Sequence, residues 1–557
     1  MPADFDAQAA AQAAVGAVFN QSPPYQDVDL FGSDRALQDA VAANGAGGEA
    51  AALTAFGRHW GSAAMFDLAR QANENPPRLH AFDDKGRRQD TVEFHPAYHR
   101  FMAESVGAGL HASTWRDDGT RAAAPAEAAR AARFYMVAQV ENGHMCPITM
   151  TRAAVAALAA APDLRAALMP KIVSRDYDPR FRPWPDKTGT TLGMGMTEKQ
   201  GGTDVRTNTT RAEREGAAYR ITGHKWFMSA PMSDAFLVLA QAPDGLTCFF
   251  MPRFRPDGSV NALQFQRLKD KLGNRSNASS EVEFANAYAL RVGGEGEGLR
   301  TILAMVQLTR LDCAISSAGM MRAATVRALH HARHRAVFGK PLAAQPMMRS
   351  VLADMALEVE GAVALVMRLC RSFDLAGASP EEAARARLLT PAVKYLVCKA
   401  APPLTYEAME CLGGNGYVEA DALARLYREA PVNAIWEGSG NVMCLDVLRA
   451  LTRDRDASEA TLDHLARDTK DLPGAADAVA VVRRTLAEGG AEANARIVVE
   501  RIAQLAAAAA LKTSMDSGVA DLFARTRLAG QRGVTYGTAA LDERDIASLL
   551  ARVLPET

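Results

Sequence analysis

The sequence predicts a mainly helical α+β protein in four parts. These are an N-terminal helical domain over 1–186, a middle β domain over 187–292, a helical bundle over 293–451 and an extra C-terminal helical domain over 452–557. Three observations predict it. Apolar residues recur at helical spacing in long stretches towards both ends, a Pro-rich aromatic segment (DPRFRPWPD, 178–186) closes the first of these, and strand-length runs bounded by turn residues follow it.

From Leu37 to about Leu168 the reading is helical, with Ala-rich amphipathic stretches such as Glu127 to Val140 and interruptions at NENPPRLH and EFHPAYH. Beyond 187, LGMGMTE, AYRITGHKWFMSA, AFLVLAQ and TCFFMP read as strands. The APDG between the last two is a hairpin connection, because Gly245 tolerates positive φ. After VGGEGEG helical periodicity returns up to about Leu451, broken at FGKPLAAQP, DLAGASPEE and GGNGYVEAD, as expected of a bundle. The remainder, with five consecutive alanines inside Ile502 to Lys512, is helical and poor in aromatics.

A chain of 557 residues exceeds one hydrophobic core, and its 48% apolar and 23% charged residues suit a soluble protein. No apolar run approaches the roughly 20 residues a membrane helix needs. Asp4 and Asp6 stand where a secretory signal would be basic, so a cytoplasmic protein is expected. Seven scattered cysteines without a CxxC pair suggest neither disulfides nor zinc, and no metal is expected. The sequons at Asn274 and Asn277 read as chance matches. A formal net charge of −1 gives the whole chain no attraction for nucleic acid, so any basic patch is local.

In GMGMTEKQGGTDV (193–205), Met196 and Thr197 end a strand and a loop with Gly201, Gly202 and Thr203 follows. Glycines let backbone amides approach a ligand, and threonine hydroxyls bond ring heteroatoms or phosphate oxygens. An ordinary turn has the same composition, and Lys225 to Ser229 alone reads as a buried aromatic strand. The ordered set is more specific. The flavin-loop pattern, GHKWFMS, KLGNRSNASSEVEF, GEGEG, RAVFGKPLAAQP and ECLGGNGYVEADALARLYREAPVNAIWEGSGNV together resemble the acyl-CoA dehydrogenase family over roughly residues 60 to 450. MGMTEKQGG, KDKLGNRSNAS and IWEGSGN resemble the branch induced in the bacterial response to DNA alkylation.

The resemblance implies the family's fold and FAD. Met196, Thr197, Gly202 and Thr203 would contact the flavin ring and phosphates, with Trp226, Phe227 and Ser229 along another edge. Arg335, Phe338 and Gln345 would meet the adenine and pyrophosphate end of a FAD held by a neighbouring subunit, which implies a homotetramer; a guanidinium suits pyrophosphate. Glu410, Gly413 and Gly414 would close over the cofactor, as would Gly438, Ser439 and Asn441.

Glu437 is the candidate base. Trp436 beside it is apolar, Gly438 to Gly440 permit close backbone approach, and desolvation would raise its pKa. In the family this position removes the α-proton of an acyl-CoA while hydride leaves the β-carbon for the flavin. A helix first-turn carboxylate is the plainer reading of a lone Glu. Where some branches carry the base instead, this chain has Thr309 in QLTRLDCA. Arg449, Arg310 and Asp312 would crowd charge into the acyl region and penalise aliphatic substrates, Pro231 departs from the usual pattern, and no convincing coenzyme A nucleotide contacts are found.

The resemblance also implies duplex DNA binding through the C-terminal domain. That domain carries fourteen Lys and Arg against sixteen Asp and Glu from 451 onward. Between 496 and 532, however, Arg496, Arg501, Lys512, Arg525, Arg527 and Arg532 face only Glu500, Asp516 and Asp521, and Arg449 could join them; a solvated helix face has the same composition. The expected function is a DNA-alkylation-response flavoprotein that binds duplex DNA and keeps at most weak acyl-CoA dehydrogenase activity. The alternative is a short- or branched-chain acyl-CoA dehydrogenase of the isovaleryl-CoA type.

Overall fold

The computed structural model describes residues 18–487, 492–514 and 517–555, so Asp4, Asp6 and Asp516 lie outside the described residues. The chain packs as two compact units, neither of them one continuous stretch.

One unit comprises Ala64–Cys313 and Ile435–Val442. Its N-terminal part is helical with an interruption that opens at the Pro-containing segment NENPPRLH. Pro76 and Pro77 follow the helix Ala63–Glu74, and a hairpin of β1 (Arg78–Phe82) and β2 (Arg88–Glu93) comes next. Asp83 makes the turn, its carboxylate accepting from the amides of Lys85 (2.9 Å) and Arg87 (2.8 Å). The strands β3 (Leu192–Gly195), β4 (Arg211–Glu215), β5 (Ala218–Ser229), β6 (Ala235–Ala242), β7 (Gly245–Pro252), β8 (Leu263–Leu268) and β9 (Ser279–Val292) form one sheet. It curls into a ring, because β6 pairs with both β4 and β7, and β7 returns to β9. The β6–β7 hairpin turns at Pro243 and Asp244, with Gly245 at φ +116° as expected. The strands β4, β8 and β9 were not read in the sequence; β4 is RAERE, in which only Ala212 is buried. Phe236, Phe249, Phe265, Phe284, Ile221 and Val238 fill the interior, each buried aromatic or aliphatic side chain contributing about 1.5–3 kcal/mol.

Helices Ala126–Ala138 and Met145–Leu158 are buried on nearly all faces and carry charge inside. Arg130 grips Asp312 with two bonds of 2.7 Å, Arg152 reaches the same carboxylate at 3.0 Å, and Thr149 donates to it at 2.8 Å. Arg152 and Arg121 also hold Glu127. Asp312 lies on the long helix Gly298–His334, whose residues to Cys313 belong to this unit.

The other unit takes the described residues up to Ala63, Ala314–Ala434 and those from Met443 onward. The C-terminal helices do not stand apart as a separate domain, as the sequence reading expected; they pack into the same unit as the bundle. The helix Ala495–Ser514 buries its alanine run against Pro346–Leu375 and Pro380–Cys411, small side chains allowing close approach. On the last helix, Glu543–Val553, Arg552 pairs with Glu360 (2.7 Å) and Asp39 (3.0 Å).

All seven cysteines are free, with Cys146 half-buried and the rest buried, and Asn274 and Asn277 are buried as well. Among the described residues no helix is long and apolar enough to cross a membrane.

Burial opposes the charge on Glu127, but Arg152, Arg121 and Arg130 outweigh it and hold the carboxyl at about 2, below its ordinary 4.5. A depressed carboxylate stabilises the fold fully above the unfolded value and loses that contribution as pH falls through the folded one. Thermal melts of the wild type should therefore decline between pH 4.5 and about 2. Glu127→Gln, which leaves buried guanidiniums underpaired, should cost ~3–5 kcal/mol at neutral pH and show a shallower acid decline. Parallel acid slopes in the two proteins would contradict this role for Glu127.

Candidate functional site

Glu437 lies in the connection between the short helical turn Ala430–Ala434 and the helix Gly440–Arg453, before that helix's first turn. It is therefore not the first-turn carboxylate of the plainer reading. Its φ is +59°, and Gly438 follows at +103°. A left-handed backbone costs a residue with a side chain about 1–2 kcal/mol, so the surroundings must hold it. Arg310 Nε donates to the Glu437 carbonyl at 3.0 Å, and Thr309 Oγ1 donates to Glu437 Oε2 at 2.6 Å. Glu437 is half-buried, its carboxylate held by Thr309 and its backbone by Arg310, adjacent residues of one helix.

Around it stand residues the sequence reading missed. The Cys146 thiol lies within hydrogen-bonding reach of Asn277 and Ser229, and burial, with the Glu437 charge adding to it, pushes the thiol up to about 11. Lys271 Nζ donates to the Asn277 carbonyl (2.6 Å) and to Ser279 Oγ (3.1 Å), and Ser279 bonds Ser229 at 3.0 Å. Among the described residues Asn277 Oδ1 is buried without a partner. KLGNRSNASS had served only as a fingerprint; its repeated small polar residues were the signal that it lines a polar site.

Behind this wall Ser105, His144 and Glu141 line up, with 2.8 Å from Ser105 Oγ to His144 Nε2 and 2.5 Å from His144 Nδ1 to Glu141. The spacing imitates a hydrolase triad. Ser105 is fully buried, however, and Glu141 also accepts from Ser276 at 2.6 Å, so the line anchors the 271–279 loop and attacks nothing.

The flavin-loop residues sit in the same unit. Met196 and Thr197 are half-buried at the end of β3, where Asn208 Nδ2 bonds the Met196 carbonyl (3.0 Å) and the Trp226 amide bonds that of Thr197 (2.8 Å). A Cβ on Gly202 would come within 2.3 Å of Thr197 Oγ1, so the loop closes over Thr197 only because that residue is glycine. Thr203 is exposed. Beneath the loop, Lys225 Nζ pairs with Glu198 at 2.8 Å and bonds the Leu239 carbonyl at 2.7 Å. Burial brings Lys225 down to about 8, while Lys225 and its hydrogen bonds overcome burial to keep Glu198 at about 2. Trp226 is half-buried under Lys269 Nζ, 3.4 Å from its ring, and Phe227 is half exposed beside the same ammonium. A cradle that admits no Cβ, a threonine hydroxyl and half-buried Met and Trp faces fit a flat heteroaromatic ring.

Arg335, Phe338, Gln345, Glu410, Gly413 and Gly414 belong to the other unit, whereas Ser229, Glu437, Gly438, Ser439 and Asn441 belong to this one. Arg335 donates to the Asn20 carbonyl (2.8 Å) and Gln345 to that of Val337 (3.0 Å). Phe338 is 98% exposed with φ +50°, and space is open at Gly413 and Gly414. Glu410, Ser439 and Asn441 are exposed.

Two expectations are corrected. Asp312 does not crowd an acyl site with charge, because Arg130, Arg152 and Thr149 take its carboxylate. The stretch from 496 to 532 is not a stripe of available cations. Arg527 is buried against Asp354 (2.6 Å) and Glu358 (3.0 Å), Arg532 reaches Glu358 (3.4 Å), Arg525 pairs with Asp545 (2.7 Å), and Lys512 pairs with Asp471. Arg501 donates to Gln504 and to the Arg527 carbonyl. Arg496 and Arg449 are exposed.

Residues 20–179 match the adaptive response protein AidB N-terminal domain, 193–287 the acyl-CoA dehydrogenase middle domain and 296–452 the acyl-CoA dehydrogenase C-terminal domain. The sequence is 53% identical to AidB of Escherichia coli (strain K12) over 438 residues, 78% of this chain and 80% of that one. It is 32% identical to acyl-CoA dehydrogenase family member 11 of Caenorhabditis elegans, across 77% and 70% of the two chains. The crystal structure of C. elegans ACDH-11 in complex with C11-CoA superposes with a TM-score of 0.81 at 28% identity, covering 98% of this chain and 93% of that one. An acyl-CoA dehydrogenase of Bacillus anthracis complexed with FAD shares the fold, with a TM-score of 0.62 at 16% identity over 83% and 87%.

Arg527→Ala, which strands Asp354 and Glu358, should lower stability by ~3–5 kcal/mol, whereas Arg449→Ala at an exposed position should stay within about 0.5 kcal/mol. Thermal melts compare them directly. Equal melting temperatures would show that the Arg527 cluster does not carry the packing of the C-terminal helices.

Proposed function

The chain belongs to the acyl-CoA dehydrogenase family, in its AidB-like branch, and from that premise we propose that it is a flavin-dependent oxidoreductase acting on the CH–CH bond of an acyl-CoA thioester, with Glu437 as its base. The observation that carries the proposal is the posture of Glu437: a strained backbone held by Arg310, and a carboxylate aimed by Thr309 at 2.6 Å. A base gains from being fixed near the proton it takes, since geometry comes before pKa in proton transfer.

Members of this family bind FAD, which when bound accepts the hydride leaving the β-carbon. Met196, Thr197, Gly202 and Thr203 would hold its ring and phosphates, with Trp226, Phe227 and Ser229 beside it. Glu437 removes the α-proton and keeps it on its carboxyl group. Cys146, its thiol pushed up to about 11 by burial, stays neutral and brings no second charge beside Glu437. The complex of C. elegans ACDH-11 with C11-CoA supports a thioester of that class as the substrate.

The same reading includes a cytoplasmic homotetramer, in which Arg335, Phe338, Gln345, Glu410, Gly413 and Gly414 meet a cofactor held by a neighbouring copy. The full exposure of Phe338 and the open space at Gly413 and Gly414 support it. A part in the alkylation response with duplex DNA as partner rests on the branch alone, since the cations of 496–532 are largely engaged within the chain.

The purified protein should be yellow, and an aliphatic acyl-CoA should bleach the flavin under anaerobic conditions. Glu437→Gln should keep the flavin and lose about 10²–10⁴-fold in bleaching rate, the range a general base supplies. An unchanged rate in Glu437→Gln would remove Glu437 from the chemistry.

A further inference from the structure

Thr309 faces two acceptors with one proton. Its hydroxyl lies 3.0 Å from the Val306 carbonyl, one turn earlier on the helix, and 2.6 Å from Glu437 Oε2. A hydroxyl has a single O–H and two acceptor lone pairs, so it serves one of these oxygens at a time. The protonation state of Glu437 decides which. When the carboxylate is ionised, Thr309 donates to it, and 2.6 Å is the length of a charge-assisted O–H···O bond. When Glu437 carries a proton, the carboxyl O–H donates to Thr309 Oγ1, and the threonine proton turns to Val306, a bond helical threonines make readily.

We infer that Thr309 is a two-way positioning residue, its hydroxyl rotating between Glu437 and Val306 so that the carboxyl group stays in place before and after it takes a proton. The inference rests on the reading of Glu437 as the base. No proton is transferred to Thr309, which keeps its own and changes only the acceptor it serves; the proton gained by Glu437 remains on Oε2. Thr309 is 1% exposed, so bulk water does not compete for this role. The polar and charged groups near the pair include Arg310 on the same helix, bonded to the Glu437 carbonyl, Cys146 on Met145–Leu158, and Lys271 beside Cys146 in the 271–279 loop.

The test is an infrared pH titration of the flavin-loaded full-length protein. The Glu437 carboxyl stretch is the band that Glu437→Gln removes. Thr309→Val keeps the shape and deletes the hydroxyl, and its titration midpoint should rise by about one unit, because a hydrogen bond to a charged group is the stronger of the two that are lost. Thr309→Ala should give the same rise, and Thr309→Ser should titrate like the wild type. Bleaching by an acyl-CoA should fall about tenfold in Thr309→Val, with its acid limb moved up by the same unit, and recover in Thr309→Ser. A midpoint in both Thr309→Val and Thr309→Ala equal to that of the wild type overturns the inference, even if wild-type bleaching depends on Glu437. Conversely, a raised midpoint in a protein whose flavin no acyl-CoA bleaches upholds the coupling of the two side chains and removes the dehydrogenase reading instead.

Discussion

The site depends on one buried carboxylate. Asp312 receives Arg130 through two parallel bonds and Arg152 through a third, with the Thr149 hydroxyl completing the set. Removing these charges from water is costly, and the cost is offset only where every partner is in place. The long helix is thereby fixed in rotation and height against Ala126–Ala138 and Met145–Leu158. Thr309 and Arg310 lie within the turn before Asp312 on that helix, so the positions from which they grip Glu437 are fixed too. Replacing the cluster with apolar residues of like volume could match its stability, but not its directional hold on the helix.

The same device recurs under the loop after β3. Glu198 and Lys225 are a buried pair whose remaining bonds go to Thr209, Thr210 and the Leu239 carbonyl, so a short Gly-rich loop is tied to the sheet from below. The line from Ser105 through His144 to Glu141 and Ser276 does this for the loop at 271–279. In each case an irregular segment is positioned by buried polar contacts inside a rigid scaffold. Strain at Glu437 is tolerated for the same reason: two side chains on a fixed helix over-determine it.

In the other unit, charge serves assembly of the helices. The partners of Arg525, Arg527 and Arg532 are Asp545, Asp354 and Glu358, two of them more than a hundred residues away. A window of sequence that counts only nearby charges registers these arginines as an excess. Once the acids of Pro346–Leu375 are brought beside them, the excess largely disappears. Burial of Arg527 follows, since a guanidinium leaves water only with paired partners.

What the sequence determined by itself was local or carried by order along the chain. Helical periodicity, the strands of AYRITGHKWFMSA, AFLVLAQ and TCFFMP and the turn at Gly245 follow from side-chain spacing and backbone sterics, and the succession of motifs was enough to indicate the family. The β1–β2 hairpin and β4 were not legible, because few of their residues are apolar and pairing, not pattern, makes them strands. Tertiary structure alone decided that Thr309 and Arg310 meet Glu437 across more than a hundred residues, that Cys146 and the 271–279 loop stand beside it, and that Asp312 faces buried arginines and not an acyl chain. Charge partners and hydrogen bonds are set by proximity in space, and a linear sequence records which groups are present without recording which of them folding brings within 3 Å of one another.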